Sequence, residues 1–220
     1  LFESYLNNVF TQKGDGWEER ALGEACTFSQ GIQVGVKSQL VTKSHKGQIR
    51  FLRIVDFTQG QEPPRYIEHP GDRYIVDKDD VSLVRYGAST GFVCRGLTGA
   101  IANNLFQVTP DNESLSRQFL FYFLYSSVFQ SKVREAIGGA AMPAISFSLI
   151  KDILIMIPKS AEQIQLVNKF GDLSSETQRL ESIYQSKLTA LTELKQSLLQ
   201  KAFSGELTVN DTILNKEAVA

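Results

Sequence analysis

The fold class of this 220-residue chain is decided by residues 160–207, SAEQIQLVNKFGDLSSETQRLESIYQSKLTALTELKQSLLQKAFSGEL. The segment has no proline, and Gly171 is its one glycine before Gly205, so a single long helix is predicted. Ser160 and Gln163 have the spacing of a capping box at the helix start, and Gly205 suits the left-handed residue that ends a helix. About 44 residues at 1.5 Å each give a rod of roughly 65 Å.

Apolar side chains recur along this helix at spacings of three, four and seven residues. Such a stripe is typical of a helix that buries one face, and Glu, Gln, Lys and Ser fill most of the other positions. Because the rod is longer than a domain of this size, we expect it to pair with another long helix. A helix folded back on its own domain is the alternative. The predicted pairing residues are Val167, Phe170, Leu173, Leu180, Tyr184, Leu188, Leu191, Leu194 and Leu198.

The start of the chain resembles a segment near its end. LFESYLNNVFTQKGD (residues 1–15) aligns with LKQSLLQKAFSGELT (residues 194–208), and the matched positions have helical spacing. We therefore interpret residues 1–16 as the remnant of a preceding helix, and the chain as one period of a longer protein; chance similarity is the alternative. The identical pairs are Leu1 and Leu194, Ser4 and Ser197, Leu6 and Leu199, and Phe10 and Phe203.

In residues 17–158, Gly and Pro separate short apolar runs, a pattern typical of a mixed domain rich in short strands. Alternation predicts strands in IRFLRIVDF (49–57), RYIV (73–76) and VSLVRY (81–86), and GFVC and AIANNLFQVTP add two more. Residues 116–135 are predicted as one buried helix that has Ser114 or Ser116 as its cap and ends at Gly138. IKDILIMIPK (150–159) is predicted as a core strand ended by Pro158. The fold class is α+β: one mixed α/β domain, a long coiled-coil-type helix over residues 159–207, and a tail over 208–220.

The net charge of −1 argues against a protein covered in positive charge, so any nucleic-acid site depends on how the charges are distributed. No acidic residue occurs between Glu24 and Asp56, or between Asp80 and Asp111. This segregation predicts one positive face, although scattered solvated charges are the alternative. Two cysteines, Cys26 and Cys94, are too few for a disulfide scaffold and are expected to be buried free thiols in a cytoplasmic protein.

Several motifs, taken in order, resemble the DNA-specificity subunits of type I restriction-modification systems. They are WEERALGEACTFSQG at the domain start, DKDDVSLVRYGASTGFV, GAIANNLFQVTP, GGAAMPAISFSLIKDILIMIPKSAEQIQLV, and KAFSGEL at the helix end. The resemblance implies a target recognition domain in residues 17–158 and a conserved helix for assembly in residues 159–207. Family members alternate two such domains with two helices, whereas this chain has one of each. It is therefore interpreted as a half subunit.

The resemblance implies recognition of one half of a bipartite duplex DNA site on behalf of a methyltransferase subunit and, through it, a restriction subunit. The long helix would hold a second half subunit or a second copy of the chain, and no membrane partner is expected. A coiled-coil adaptor that binds only protein is the alternative. Arg, Lys, Asn, Gln and Ser side chains on loops are the expected readers. The candidates are Lys37, Gln39, Lys43, Ser44, Lys46, Arg85, Ser89, Thr90, Arg95, Asn103 and Asn104, with Lys132 and Arg134 for phosphate.

No catalytic constellation is found in the sequence, and neither a cofactor nor a metal is expected. A methyltransferase needs a glycine-rich loop after its first strand and a polar-Pro-Pro-aromatic motif, and neither occurs. The acidic cluster Asp77, Asp79 and Asp80 precedes a strand and matches an acidic turn of the family, which is favoured over a nuclease metal site. Gly138 and Gly139 are not followed by the Lys and Ser or Thr of a phosphate-binding loop.

Overall fold

The computed structural model of the chain describes residues 1–12, 14–58, 60, 62–138 and 143–206. It divides into two units, Leu1–Gly171 and Asp172–Ala220. The first unit contains the sheets and all the shorter helices, and the second contains most of a long helix. The expected tail over residues 208–220 and the small-residue loop at residues 139–142 lie outside the described residues.

Short strands form two four-stranded sheets and a two-stranded ribbon. The strands are β1 (Glu18–Ala21), β2 (Cys26–Gln30), β3 (Gln48–Leu52), β4 (Arg65–Glu68), β5 (Ile75–Val76), β6 (Val81–Val84), β7 (Val93–Cys94), β8 (Gly99–Ile101), β9 (Leu105–Pro110) and β10 (Leu154–Ile157). One sheet has the order β2-β9-β6-β7, the other has the order β4-β3-β8-β5, and β1 pairs with β10. The pairs are antiparallel except that β3 and β8 run parallel.

Helices pack against these sheets around an aromatic core. They are α1 (Phe2–Thr11), α2 (Leu22–Ala25), α3 (Ile54–Thr58), α4 (Arg117–Tyr125), α5 (Ser127–Ile137), α6 (Phe147–Ile150) and α7 (Ser160–Ser204). The ring of Phe10 in α1 lies 5.2 Å from that of Phe119 and 5.4 Å from that of Phe123, both in α4. The helical structure predicted for the start of the chain is confirmed, and α1 belongs to the same compact unit as residues 17–158.

The strand predicted over residues 49–57 is half wrong, because β3 ends at Leu52 and α3 follows. The carboxylate of Asp56 stabilises this change from strand to helix. It accepts hydrogen bonds from the backbone N–H of Arg53 (2.8 Å) and from the Arg53 guanidinium (3.1 Å). A side chain that binds a free N–H at the start of a helix stabilises that start. The strands predicted over residues 73–76 and 150–159 are also shorter, at Ile75–Val76 and Leu154–Ile157.

The single helix predicted over residues 116–135 is two helices. Ser126 breaks it with extended backbone angles, and its side chain donates to the carbonyl of Phe123 (2.7 Å) and accepts from the N–H of Phe129. Serine hydroxyls compete with the helix for backbone partners, which explains the break. The predicted ends are confirmed, since Ser116 caps α4 and Gly138, with a φ of 58°, ends α5.

The start of α7 differs from the predicted capping box. The carbonyl of Lys159 accepts the N–H of Gln163 (3.0 Å), so Lys159 occupies the cap position instead of Ser160. The buried side chain of Gln163 points into the domain, where it donates to the carbonyls of Ser114 (2.6 Å) and Pro158 (2.9 Å) and accepts from the N–H of Ser116 (2.9 Å). It ties the beginning of α7 to the segment before α4.

The apolar stripe of α7 has two parts. Phe170 is fully buried in the first unit, 4.9 Å from the ring of Tyr122, and Val167 packs against the same core, so predicting Phe170 as a pairing residue was wrong. Leu173 is half-buried. The later members are between 39% and 63% exposed: Leu180, Tyr184, Leu188, Leu191, Leu194 and Leu198. The predicted end is confirmed, because Gly205 follows α7 with a φ of 80°.

Both cysteines are free and buried, as predicted, and burial raises the pKa of each thiol to about 12. The Cys26 and Cys94 thiols are therefore protonated and unreactive near neutral pH. In the described residues, no helix is both long and apolar enough to cross a membrane.

Candidate nucleic-acid interface

An open cleft of about 650 Å³ lies among the loops that leave β2, β3, β6 and β8. Its walls come from segments far apart in sequence, and they carry amides, two hydroxyls, a guanidinium and a carboxylate together with apolar atoms. Such a surface offers hydrogen-bond donors and acceptors at fixed positions, which is what discrimination between base edges requires. The polar side chains that line it are Gln33, Gln39, Arg53, Glu62, Tyr86, Ser89, Asn103 and Asn104.

One wall of the cleft is formed by Gln33, Val34 and Gln39, which belong to the segment of residues 33–46, called here the basic loop. Leu40 joins it to β4 through two backbone hydrogen bonds of 2.8 Å with Tyr66, and the side-chain amide of Gln39 donates to the carbonyl of Val34 (2.9 Å). Lys37, Lys43 and Lys46 are exposed along it. The loop therefore presents its cations from a backbone that is held at several points.

The far end of the basic loop is held by a polar cluster. Both the N–H and the hydroxyl of Ser44 donate to Gln48, and Gln48 donates to Glu68 (2.8 Å). His45 lies 2.9 Å from the same Glu68 carboxylate. The bonds from Gln48 and His45 lower the pKa of Glu68. The Ser44 hydroxyl, predicted to read bases, donates within the protein instead.

A second wall follows β6. Ser89 lines the cleft, whereas the hydroxyl of Thr90 lies 2.7 Å from the carbonyl oxygen of Gly87 and 3.0 Å from that of Pro143. Gly87 has a φ of 96°, which suits a residue without a Cβ. Thr90 therefore holds the shape of this loop, which presents Ser89 to the cleft together with residues 86–88.

Asn103 and Asn104 also line the cleft, and Arg85 contacts their backbone. The backbone N–H of Arg85 donates to the carbonyl of Asn104 (2.9 Å), and its guanidinium lies 3.5 Å from the carbonyl of Asn103. Arg85 Nε and Asn104 Oδ1 are buried and have no hydrogen-bond partner among the described residues. Because Asn104 Oδ1 is covered, it cannot accept a bond from a base in this arrangement.

Arg53 and Glu62 were not predicted as site residues. Arg53 binds Asp56 in the fold interior and Glu62 at the cleft (2.8 Å). Burial disfavours its charge, but the hydrogen bonds to Asp56 and Glu62 outweigh that effect and raise the pKa of Arg53. Asp56 also lies 3.5 Å from Arg50, so these carboxylates near the cleft are paired with cations.

Three predicted residues lie apart from the cleft. Arg95 pairs with Asp79 (3.2 Å) and stacks 5.0 Å from the ring of Phe121. Lys132 pairs with Glu135 in α5, and Arg134 lines a smaller pocket of about 250 Å³ beside α1. The structure thus brings Gln39, Ser89, Asn103 and Asn104 together at the cleft. Lys37, Lys43 and Lys46 are exposed on the basic loop but do not line the cleft.

No group of three or more His, Cys, Asp or Glu side chains within the described ranges is arranged to hold a metal ion. The acidic turn before β6, which contains Asp77, Asp79 and Asp80, makes contacts that stabilise the fold. Asp80 accepts the N–H of Asp77 (2.7 Å) and pairs with Arg117 of α4 (2.9 Å).

A polar cleft beside a basic loop is a candidate surface for binding DNA, and comparison with known proteins identifies the family. Residues 14–196 match the model of the type I restriction modification DNA specificity domain. The chain belongs to this family.

Relatives and solved structures agree with this assignment. The EcoBI specificity subunit of Escherichia coli is 24% identical over 98% of this chain and 47% of its own length, and the StySPI specificity subunit of Salmonella potsdam is 24% identical over 79% and 40%. The chain thus spans about half the length of the relatives it matches. The HsdS subunit from Thermoanaerobacter tengcongensis superposes with a TM-score of 0.66 at 23% identity, over 92% of this chain and 49% of that subunit.

A chain of a type I R-M system whose complex assembly and conformational transition have been studied superposes with a TM-score of 0.74 at 21% identity, over 92% of this chain and 50% of that one. These similarities confirm the predicted fold class, a mixed α/β domain followed by a long helix.

Proposed function

We propose that this chain reads one half of a bipartite sequence in duplex DNA and catalyses no reaction itself. The observation that carries the proposal is the match of residues 14–196 to the type I restriction modification DNA specificity domain. The cleft of about 650 Å³ supports it, because it presents fixed polar groups, and the basic loop that contributes Gln33, Val34 and Gln39 to its lining also carries three exposed lysines.

The two parts of this surface have different tasks. Lys37, Lys43 and Lys46 contact phosphates, which gives affinity and sets the register of the domain on the duplex. Gln39, Ser89 and Asn103 contact base edges, where paired donors and acceptors distinguish one base pair from another. Thr90 and Ser44 act indirectly, by fixing the loops that carry the reading residues.

The chain works in the cytoplasm with partners that supply the chemistry. A methyltransferase subunit, and through it a restriction subunit, is directed to the site that the domain reads. The exposed part of the α7 stripe, from Leu180 to Leu198, holds either a further half subunit or a second copy of the chain. Two copies would read an interrupted palindrome, whereas two different halves would read an asymmetric site.

A coiled-coil adaptor that binds only protein is not favoured, because the matched family is described by DNA specificity. The two functions differ in a simple observable. A DNA reader loses affinity steeply as salt rises, while the adaptor has no salt-dependent affinity for DNA.

The test uses the full chain purified with its methyltransferase subunit. Mapping of methylated adenines identifies the site, and fluorescence anisotropy then compares a duplex carrying that site with a scrambled duplex of equal composition. We expect the cognate duplex to bind at least about 10³-fold more tightly at physiological salt. Equal affinity for the two duplexes would contradict the proposal.

A further inference from the structure

The basic loop carries exposed apolar side chains among its lysines. Val36 is 78% exposed, the largest exposed fraction of any large hydrophobic side chain described in residues 14–171, and Val41 is 55% exposed. Single apolar residues on a surface are ordinary. Here, however, Val36, Leu40 and Val41 all lie within six residues of a loop that also bears Lys37 and Lys43.

Val36 is held in a defined position. It begins a 3₁₀ turn, Val36–Ser38, in which the N–H of Ser38 donates to the carbonyl of Gly35 (2.9 Å) and the N–H of Gln39 to that of Val36 (3.1 Å). The next residues are anchored by Gln39 and by the backbone pair of Leu40 and Tyr66. The valine is therefore presented by a fixed turn that leads directly into a residue of the cleft wall.

The surrounding charge selects the kind of partner. The sequence has no carboxylate from residue 25 to residue 55, and the acidic side chains that the fold brings near, Asp56, Glu62 and Glu68, are bonded to Arg53 or to Gln48 and His45. Lysine is depleted in protein interfaces, so an apolar contact flanked by lysines fits a protein partner poorly. It fits a DNA groove, where phosphates form the edges.

The major groove contains one apolar group that a valine can contact, the C5-methyl of thymine. We infer that Val36 is a specificity-determining residue that packs its methyl groups against the C5-methyl of one thymine in the recognised half-site. The inference rests on the proposed function and adds a residue and a base to it. Lys37, the next residue, contacts a phosphate and carries no such discrimination.

Deoxyuridine lacks only the C5-methyl of thymine and pairs in the same way, so it isolates the contact. The full chain with its methyltransferase subunit is titrated against duplexes in which each thymine of the mapped half-site is replaced in turn by deoxyuridine. One replacement should weaken binding by about fourfold, the value expected for exposing one buried methyl group. In Val36→Ala, the same replacement should have no effect, and the variant should bind thymine and deoxyuridine duplexes equally.

Lys37→Ala is the matched control. It should weaken binding to both duplexes by the same factor and leave their ratio at about fourfold, because a phosphate contact does not depend on the base. Circular dichroism should report unchanged folding of both variants, since both side chains are exposed.

If Val36→Ala still bound the thymine duplex about fourfold more tightly than the deoxyuridine duplex, the inference would be overturned, while specific DNA binding would remain in place. The same conclusion would follow if no deoxyuridine replacement weakened the parent protein, or if Val36→Ala lost the methyltransferase subunit instead of the thymine preference. Absence of any preference for the mapped site in the parent protein would be the separate failure of the proposed function.

Discussion

The side-chain amide of Gln163 lies 2.6 Å from the carbonyl oxygen of Ser114, so the first turn of α7 is bonded to the segment that precedes α4. The same side chain also binds Pro158 and the N–H of Ser116, and it is 1% exposed. One buried amide thus replaces the water that three backbone groups would otherwise bind.

Gln163→Ala should lower the free energy of unfolding of the first unit by about 2–3 kcal/mol, because it leaves buried backbone groups without partners. Urea denaturation followed by tryptophan fluorescence measures this, since the indole of Trp17 donates to Glu162 at the same helix start (3.0 Å). Gln165→Ala, at an exposed position of α7, is the control and should change little. Equal effects of the two substitutions would contradict the bridging role.

Phe170→Ala should destabilise the first unit by about 3–5 kcal/mol, because it empties a site enclosed by the rings of Tyr5, Phe10 and Tyr122. Leu188→Ala, at a side chain that is 58% exposed, should leave the stability of the monomer unchanged. The unfolding temperatures of the two variants and of the parent chain, measured at low protein concentration, test this difference. If Phe170→Ala lowered the stability as little as Leu188→Ala does, Phe170 would not be part of the core of the first unit.

The triple substitution Lys37, Lys43 and Lys46 to Ala should weaken DNA binding and flatten the dependence of log affinity on log salt. The slope should fall by up to about 0.9 for each phosphate that the variant no longer neutralises. Lys187, Lys195 and Lys201 in α7, changed together to Ala, remove the same charge from the second unit and provide the control. If both triple variants flattened the slope equally, the effect would be one of net charge and the basic loop would have no special role.

Glutamate at Leu180, Leu191 and Leu198 should abolish association through α7, because each would place an unpaired charge in a desolvated interface. Glutamate at Ser182, Thr189 and Gln196, on the opposite face of the helix, adds the same charge and should leave association intact. Sedimentation velocity at micromolar concentration measures whether the parent chain and each variant are monomeric or associated. A parent chain that remains monomeric, with α7 folded, would show that the stripe is no association surface.

The sequence predicted those features that depend on local chemistry. Gly205 ends α7 and Ser116 begins α4 because a left-handed residue and a capping hydroxyl act on their own neighbours. Gln163 was predicted to cap its own helix, but its partners Ser114 and Ser116 lie far away in sequence. The break at Ser126 was not predicted, although its partners Phe123 and Phe129 are local, because a serine is also tolerated inside a helix.

The candidate site was predicted only in part, for a similar reason. The distribution of charges along the chain indicated the basic loop, but Arg53 and Glu62 reach the cleft from another segment that only the folded sheets bring close to it. Thr90 and Ser44 belong to loops that were predicted to contact DNA, yet their hydroxyls donate within the protein, a direction that sequence does not specify.

The most direct test of DNA reading is an exchange of residues 1–171 for the equivalent unit of another family member, followed by mapping of methylated adenines in the assembled complex. These boundaries keep Phe10 and Phe170 with the core that they complete. We expect the chimera to methylate sites carrying the donor's half-site, while exchange of residues 172–206 alone should leave the original half-site in use. A chimera that folds, assembles and still marks the original half-site would contradict the assignment of DNA reading to this unit.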